Sequence, residues 1–541
     1  MRLAAPPPGS LGARRPRAFV AAHPDALALG IVVLAATLIR VTFAFRTPVF
    51  LLRDSASYFL PAWDLVNGLG FDLSVRRTPA YPLFLAGSIG LLGEELLAIA
   101  FAQHLLGIVM VVLVYWLGRV TFGRAAGVLA GLLTGLNGAL LISEHYVMPE
   151  TLMIVLLLAT LLAATLAIQR GSRPLFLASG ALLGLCILCK PAAQIVVPVI
   201  PLVALVALRS PRRVVVPTAL FGAGLALVLV PWVVRNWAVH GSATTAGALG
   251  QTLIARTAKH DRGFDWYDAR QAGSYERREG IARQIVENGI RQRLSDGEIY
   301  RRVQDRFGMT DPEVNGFMRD LATRVILAQP IYYLQGTASM TWQLLLGEVE
   351  KLSTDWKTQN ARLSRDEWED RVEHLLSRAS TAQRNEADRA AMVADLFQPA
   401  RLGPLLPLLA LLGTVAGIVR PRLRPSLLLG LTTLAMLGVT AALDGPVIRY
   451  RYPTDPLVAI AAAGGATWAL GAAWSWVSLR ARSRGLRAGR AGAHAPGVPA
   501  LSGSQVPASS ASPSPDTRAP AAPVPTSPRA VAPARGAAEG A

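Results

Sequence analysis

Runs of about 20 apolar residues recur along this 541-residue chain, and no other feature limits its fold so tightly. A helix rises 1.5 Å per residue, so each run is long enough to cross the roughly 30 Å hydrocarbon layer of a bilayer. Inside that layer only helices or closed barrels satisfy their own backbone hydrogen bonds. The runs fall at roughly 26–45, 96–118, 125–142, 151–168, 175–189, 192–208, 214–234, 402–419, 426–443 and 455–478. They predict an all-α polytopic membrane protein with about ten transmembrane helices and the lipid bilayer as an obligatory partner. Only 16% of the residues are charged, against about 25% in soluble domains.

The formal charge of +19 would suit a nucleic-acid binder until it is mapped. Of the 35 acids, 23 lie in residues 241–400 beside 22 Lys and Arg, so that segment is close to neutral. The excess cations sit on short connections and at the two ends, which excludes nucleic acid as the partner. Carboxylates near a bilayer are costly, so each of the twelve acids outside 241–400 needs its own explanation.

Alternate connections are basic: Arg119 to Arg124, Arg170 to Pro174, Arg209 to Arg213, Arg420 to Arg424 and the tail from Arg480. Short basic connections stay on the cytoplasmic side. Residues 1–25, with Arg14, Arg15 and Arg17 and no cleavage site after the first run, therefore read as a cytoplasmic segment ahead of a retained anchor, and 481–541 as a cytoplasmic tail. That tail is Ala, Pro, Ser, Gly and Arg, cannot bury a core, and is expected to be disordered. The opposite set faces outward: 46–95, 143–150, the Lys190 turn, 235–401 and 444–454. Residues 26–240 form the first transmembrane block and 402–480 the C-terminal helices. Between them, 241–401 reads as a mainly helical extracytoplasmic insert, with a polar cluster at Arg362 to Arg371 and an amphipathic stretch at Pro330 to Leu346. Residues 79–93 are apolar but too short to cross, so they predict a juxtamembrane helix in the first outer loop. Arg40, inside the first span, is expected to snorkel toward the outer interface. Cys186 and Cys189 form a CxxC within a span and read as buried thiols, since zinc or redox chemistry needs partners and access. Arg outnumbers Lys 50 to 4, which points to a GC-rich genome and a bacterial plasma membrane.

Unusual polar residues gather on the outward turns. Asp54 and Tyr58 follow the first span; Arg77 and Tyr81 stand in Arg-Arg-Thr-Pro-Ala-Tyr-Pro; Glu144, His145 and Glu150 flank the 143–150 turn. Lys190, Arg235, Arg449 and Arg451 complete the set. Alone, Asp54 would serve as well to cap a following helix, and single arginines to bind lipid headgroups. Together at one boundary, a few carboxylates and several fixed cations suit a substrate with an apolar tail and a phosphate head.

In order and topology these motifs resemble the GT-C glycosyltransferases, in particular the bacterial polytopic group related to protein O-mannosyltransferases (family 39) and aminoarabinose transferases. The carriers are Asp54-x-x-x-Tyr58, Arg77-Thr-Pro-Ala-Tyr-Pro, Pro-Glu150-Thr-Leu, Lys190-Pro, Pro-Trp-x-x-Arg235-Asn and Arg449-Tyr-Arg451-Tyr-Pro. The resemblance implies a GT-C-like core and transfer of a monosaccharide from a polyprenyl-phosphate donor on the outer face. It further implies Asp54 at the catalytic centre, Glu150 as a second acid, and Lys190, Arg235, Arg449 and Arg451 toward the donor phosphate. Ser55 stands where many relatives carry a second acid, so a divalent metal is possible but not indicated by the sequence. The acceptor stays open among protein, lipid and glycan.

The chemistry requires a base to take the acceptor proton and cations to neutralise the departing phosphate. With no second carboxylate placed as a nucleophile, single displacement with inversion is expected. The rival readings are a transporter or flippase for a lipid-linked or anionic substrate, and a non-catalytic scaffold. Charges on one face and the lack of inverted, Gly- or Pro-broken halves count against transport.

Overall fold

The structure, a computed structural model, describes residues 24–44, 47, 49–51, 54–93, 95–268, 273–347 and 397–492. The N-terminal arginines, the Arg362 to Arg371 cluster and residues 493–541 of the tail lie outside the described residues. By internal contacts the chain forms two units, Met1–Trp476 and Val477–Ala541. The described residues are helical and hold no strand; one isolated bridge joins Phe50 and Tyr146.

The first apolar run is α1 (Pro24–Ala44), followed by two helices of the 46–95 loop, α2 (Ala56–Val66) and α3 (Ala80–Leu92). Next come α4 (Leu96–Phe122), α5 (Arg124–Gly135), α6 (Gly138–Ser143), α7 (Glu150–Arg170), α8 (Arg173–Cys189), α9 (Val199–Leu208) and α10 (Pro211–His240). The segment after it contains α11 (Leu249–Ile254), α12 (Arg277–Arg291), α13 (Asp296–Phe307), α14 (Asp311–Ala328) and α15 (Pro330–Leu346). Last among the described residues come α16 (Leu405–Val419), α17 (Leu427–Leu443) and α18 (Asp455–Gly492). This is the fold of a multi-pass membrane protein.

Among the described residues, seven helical stretches are long and apolar enough to span: Pro24–Ala44, Leu96–Phe122, Glu150–Arg170, Pro191–Leu208, Pro211–His240, Pro421–Leu443 and Asp455–Ser478. The other three apolar runs correspond to the shorter α5 with α6, α8 and α16. The third run breaks at Asn137, whose side-chain oxygen accepts from Ala139 N at 3.0 Å and so caps α6. Its amide donates to Asp455 Oδ2 at 3.2 Å, tying the break to the start of α18.

Lipid offers no hydrophobic drive between helices, so close backbone packing carries their association. Between α8 and α10 the backbones touch: a Cβ on Gly180 would lie 1.9 Å from the Phe221 carbonyl oxygen, and one on Gly224 2.1 Å from that of Leu177. The segment from α11 to α14 has a core of its own, built around Trp266, Val286, Ile299, Tyr300 and Met318.

The bundle has two chemically different ends. At one, Asp25 at the start of α1 accepts from Arg119 Nη2 and Arg124 Nε, both at 2.7 Å, joining α1 to the basic α4–α5 turn. At the other, the 46–95 loop, the start of α7, the end of α8 and the 444–454 loop converge.

Candidate active site

Asp54 does not cap α2. The N-cap position is Ser55, whose side chain makes no capping bond, and the Asp54 carboxylate turns toward two guanidiniums. Its Oδ1 accepts from Arg77 Nη2 at 3.0 Å and its Oδ2 from Arg449 Nη2 at 3.2 Å. Arg77 also donates through Nη1 to the Tyr58 hydroxyl at 3.0 Å and lies 4.5 Å from the centre of the Tyr58 ring. The carboxylate stays 40% exposed, so a ligand can reach it.

Glu150 opens α7, where the unpaired amides of a helix start favour a negative charge. Its Oε1 accepts from Lys190 Nζ at 2.8 Å, while Oε2 is buried with no hydrogen-bond partner among the described residues. Lys190 reaches it because Pro191 follows and forces an extended backbone at 190, ending α8. The ammonium also lies 4.9 Å from the Tyr450 ring, and the Tyr450 hydroxyl donates to Asp444 Oδ2 at 2.7 Å. Arg449 Nε, like Glu150 Oε2, is buried without a partner among the described residues.

Burial alone would raise the Asp54 carboxyl, but the charges of Arg77 and Arg449, with their hydrogen bonds, outweigh it and hold it below the usual aspartate value. Burial pushes the Tyr58 hydroxyl up to about 12, so it stays protonated. Burial raises Asp444 as well, against the opposing bond from Tyr450 and the nearby His260.

Asp54, Tyr58, Arg77, Glu150, Lys190 and Arg449 thus form one network from four separate parts of the chain. Tyr81 adjoins it: its ring meets Tyr58 edge-on at 5.4 Å and its hydroxyl donates to Gln103 Oε1 at 3.2 Å. Glu144 and His145 belong to a second, fully buried cluster. Glu144 accepts from Arg40 Nη2 at 2.7 Å and meets His104 Nδ1 at 2.5 Å, and the Nε2 atoms of His104 and His145 are 2.9 Å apart. Arg40 therefore does not snorkel. It is 2% exposed and also donates to the carbonyls of Ala36 and Gly135, because an internal acid offers it more than the interface would. Arg235 donates to Leu73 O at 3.2 Å and Asn236 Oδ1 at 3.0 Å and stacks on Trp232. Arg451 pairs with Asp455 at 2.8 Å. Neither arginine joins the Asp54 network through these contacts.

Sequence reasoning missed Gln103 and His104, although two adjacent polar residues inside the apolar α4 were a readable signal. Tyr450 stood out only as part of a motif. Cys186 and Cys189 are free thiols and buried. Among the described residues no three His, Cys, Asp or Glu side chains gather as metal ligands.

Residues 76–235 match the family model described as dolichyl-phosphate-mannose-protein mannosyltransferase. That stretch contains Arg77, Tyr81, Glu150, Lys190 and Arg235; Asp54 and the 444–454 loop fall outside it. No curated protein matches the chain. Among solved structures it is similar to the oligosaccharyltransferase AglB from Archaeoglobus fulgidus in complex with an inhibitory peptide and a dolichol-phosphate, at 15% identity and a TM-score of 0.47, over 86% of this chain and 52% of that one. It is also similar to ArnT from Cupriavidus metallidurans bound to undecaprenyl phosphate, at 13% identity and a TM-score of 0.36, over 81% and 77% of the two chains. The chain spans about half the length of the archaeal protein.

Proposed function

We propose that the protein transfers a monosaccharide from a polyprenyl-phosphate donor to an acceptor hydroxyl at the outer face of a bacterial plasma membrane, with both termini in the cytoplasm. The observation that carries this reading is Asp54, a half-open carboxylate held between Arg77 and Arg449 beside the Glu150–Lys190 pair. A lipid phosphate entering here competes with Asp54 for the guanidiniums. As they turn to the phosphate their hold on the carboxylate weakens, its proton affinity rises, and an oxygen is released to act as base. Asp54 then takes the acceptor proton, the acceptor oxygen bonds to the anomeric carbon, and the bond from that carbon to the phosphate oxygen breaks. Arg449 and Lys190 neutralise the departing polyprenyl phosphate. The free Oε2 of Glu150 accepts a hydroxyl of the donor sugar. One displacement inverts the anomeric centre.

The test uses the full chain in nanodiscs with a panel of undecaprenyl-phosphate monosaccharides, following release of undecaprenyl phosphate. Release that Asp54→Asn abolishes supports the reading. A wild-type protein that neither releases nor binds any donor overturns it in favour of transport, and flux assays follow.

A further inference from the structure

The segment 241–347 touches both loops that supply the site's arginines, at two different faces. On the first face, Arg76, the neighbour of Arg77, donates to Asp311 Oδ1 at 2.9 Å and Gln251 Oε1 at 3.3 Å, with its guanidinium 4.6 Å from the Tyr300 ring centre. Gly247 N donates to Val75 O at 2.8 Å. The turn ahead of Arg77 is therefore tied to α11, α13 and α14 together.

On the second face, the last carbonyls of α17 would lack partners in the helix itself. Arg256, fully buried, donates through Nε to Ala441 O at 2.9 Å, and the Tyr333 hydroxyl donates to Ala442 O at 3.0 Å. His260 covers Gly445, where a Cβ would lie 2.5 Å from the imidazole Cγ, and its Nε2 stands 3.5 Å from Asp444 Oδ1. Asp444 in turn accepts from Tyr450, next to Arg449. The packed core around Trp266, Tyr300 and Met318, which Leu443 also joins, connects the two faces.

We propose that segment 241–347 is a clamp that fixes Arg77 and Arg449 on either side of Asp54, with Asp311 and Tyr333 as positioning residues on its two faces. Its kinetic consequence rests on the transferase reading; its structural consequence does not. Two arginines on separate loops would otherwise be ordered afresh at each binding event, and a preformed pair avoids that cost.

Hydrogen–deuterium exchange of the ligand-free full chain in nanodiscs, read alongside its affinity for undecaprenyl phosphate, tests this. Asp311→Asn is expected to speed exchange at 74–78 and leave 441–452 unchanged, and Tyr333→Phe to do the reverse. Each lowers undecaprenyl phosphate affinity about 5-fold, the worth of one net hydrogen bond. The exchanged pair Arg76→Asp with Asp311→Arg is expected to restore the 74–78 loop. If both loops exchange as in the wild type, the segment is merely attached and the clamp is overturned. If the loops loosen as expected but the wild type binds no undecaprenyl phosphate, the clamp stands and the transferase reading falls.

Discussion

Two carboxylates in this protein each bridge two partners from distant parts of the chain. Glu144 joins Arg40 and His104; Asp54 joins Arg77 and Arg449. What separates them is room. Glu144 is wholly enclosed, and a single Cβ on Gly107 would lie 2.2 Å from its Oε1 and 2.5 Å from Arg40 Nε, so not even a methyl group fits. Asp54 is 40% exposed, and close by stand Glu150 Oε2 and Arg449 Nε, buried polar atoms whose bonding capacity is unspent among the described residues. Acid and cation types alone therefore do not tell a strut from a site. Room does, since Arg40 Nε in the enclosed cluster is as unpaired among the described residues as Arg449 Nε beside Asp54.

The sharpest way to break the comparison is to neutralise each acid in turn. Asp54→Asn is expected to lower the transfer rate by about 10²–10⁴, the usual cost of losing a general base. Its melting temperature should fall much less than that of the Glu144 variant, because the half-open pairs of Asp54 are partly screened by solvent. Glu144→Gln should do the opposite. It strands the Arg40 charge in the interior, at a cost of about 3–5 kcal/mol in stability, while the surviving folded molecules keep their turnover. Thermal unfolding in nanodiscs, read beside single-turnover rates, checks both. A variant that loses rate and stability together at either position would merge the two clusters into one.

Gly107→Ala asks the same question more gently. The added methyl has nowhere to go, and overpacking of this kind costs about 1–3 kcal/mol. Stability should fall and the donor KM should not move. A KM shift would mean that strain in the Glu144 cluster reaches the site, by way of Gln103, which donates to the Glu144 carbonyl at 2.9 Å and accepts from Tyr81.

The pH dependence sharpens the electrostatic side. Asp54 is held below its ordinary value of 3.8, so the ionised form persists as the pH falls through that value, and on the proposed mechanism kcat/KM should decline only below it. The same sign governs stability: the contribution of the two ion pairs is present above the unfolded value and fades as the pH drops through the depressed one. Arg449→Gln removes one of the two cations and should move the acid limb upward. An unmoved limb would show that the titrating group is not Asp54.

Much of this architecture is legible in the amino-acid sequence. Apolar runs of span length announce the helices, and the odd polar residues at alternate turns announce that several loops will meet. Asp54, Tyr58, Arg77, Glu150, Lys190 and Arg449 do meet. What sequence spacing does not supply is pairing across the bundle. Arg40 reads as a snorkelling residue because its partner lies 104 positions away. Glu144 and His145 read as site residues because their turn is the right one, whereas the direction each side chain takes depends on His104 and on the hollow over Gly107. Nor does a series of apolar runs give the break at Asn137, which depends on a bond to Asp455 in the last helix.

Arg235 is the smallest and most discriminating test of where the site ends. The sequence groups it with the phosphate-binding cations, yet its Nη1 donates to the Leu73 carbonyl and to Asn236, and its guanidinium stacks 4.9 Å from the Trp232 ring centre. Leu73 is fully buried and leads into the turn that carries Arg76 and Arg77. A planar fork serves that bracing role better than a point charge. Arg235→Lys keeps the charge and loses the fork, so if Arg235 is a brace the donor KM should rise by about 2–5-fold, the worth of one hydrogen bond, with kcat nearly unchanged. If Arg235 instead neutralises the leaving phosphate in the transition state, the loss should fall on kcat and approach roughly 100-fold. That result would carry the site past Leu73 to α10 and make the half-open cluster around Asp54 only its inner edge.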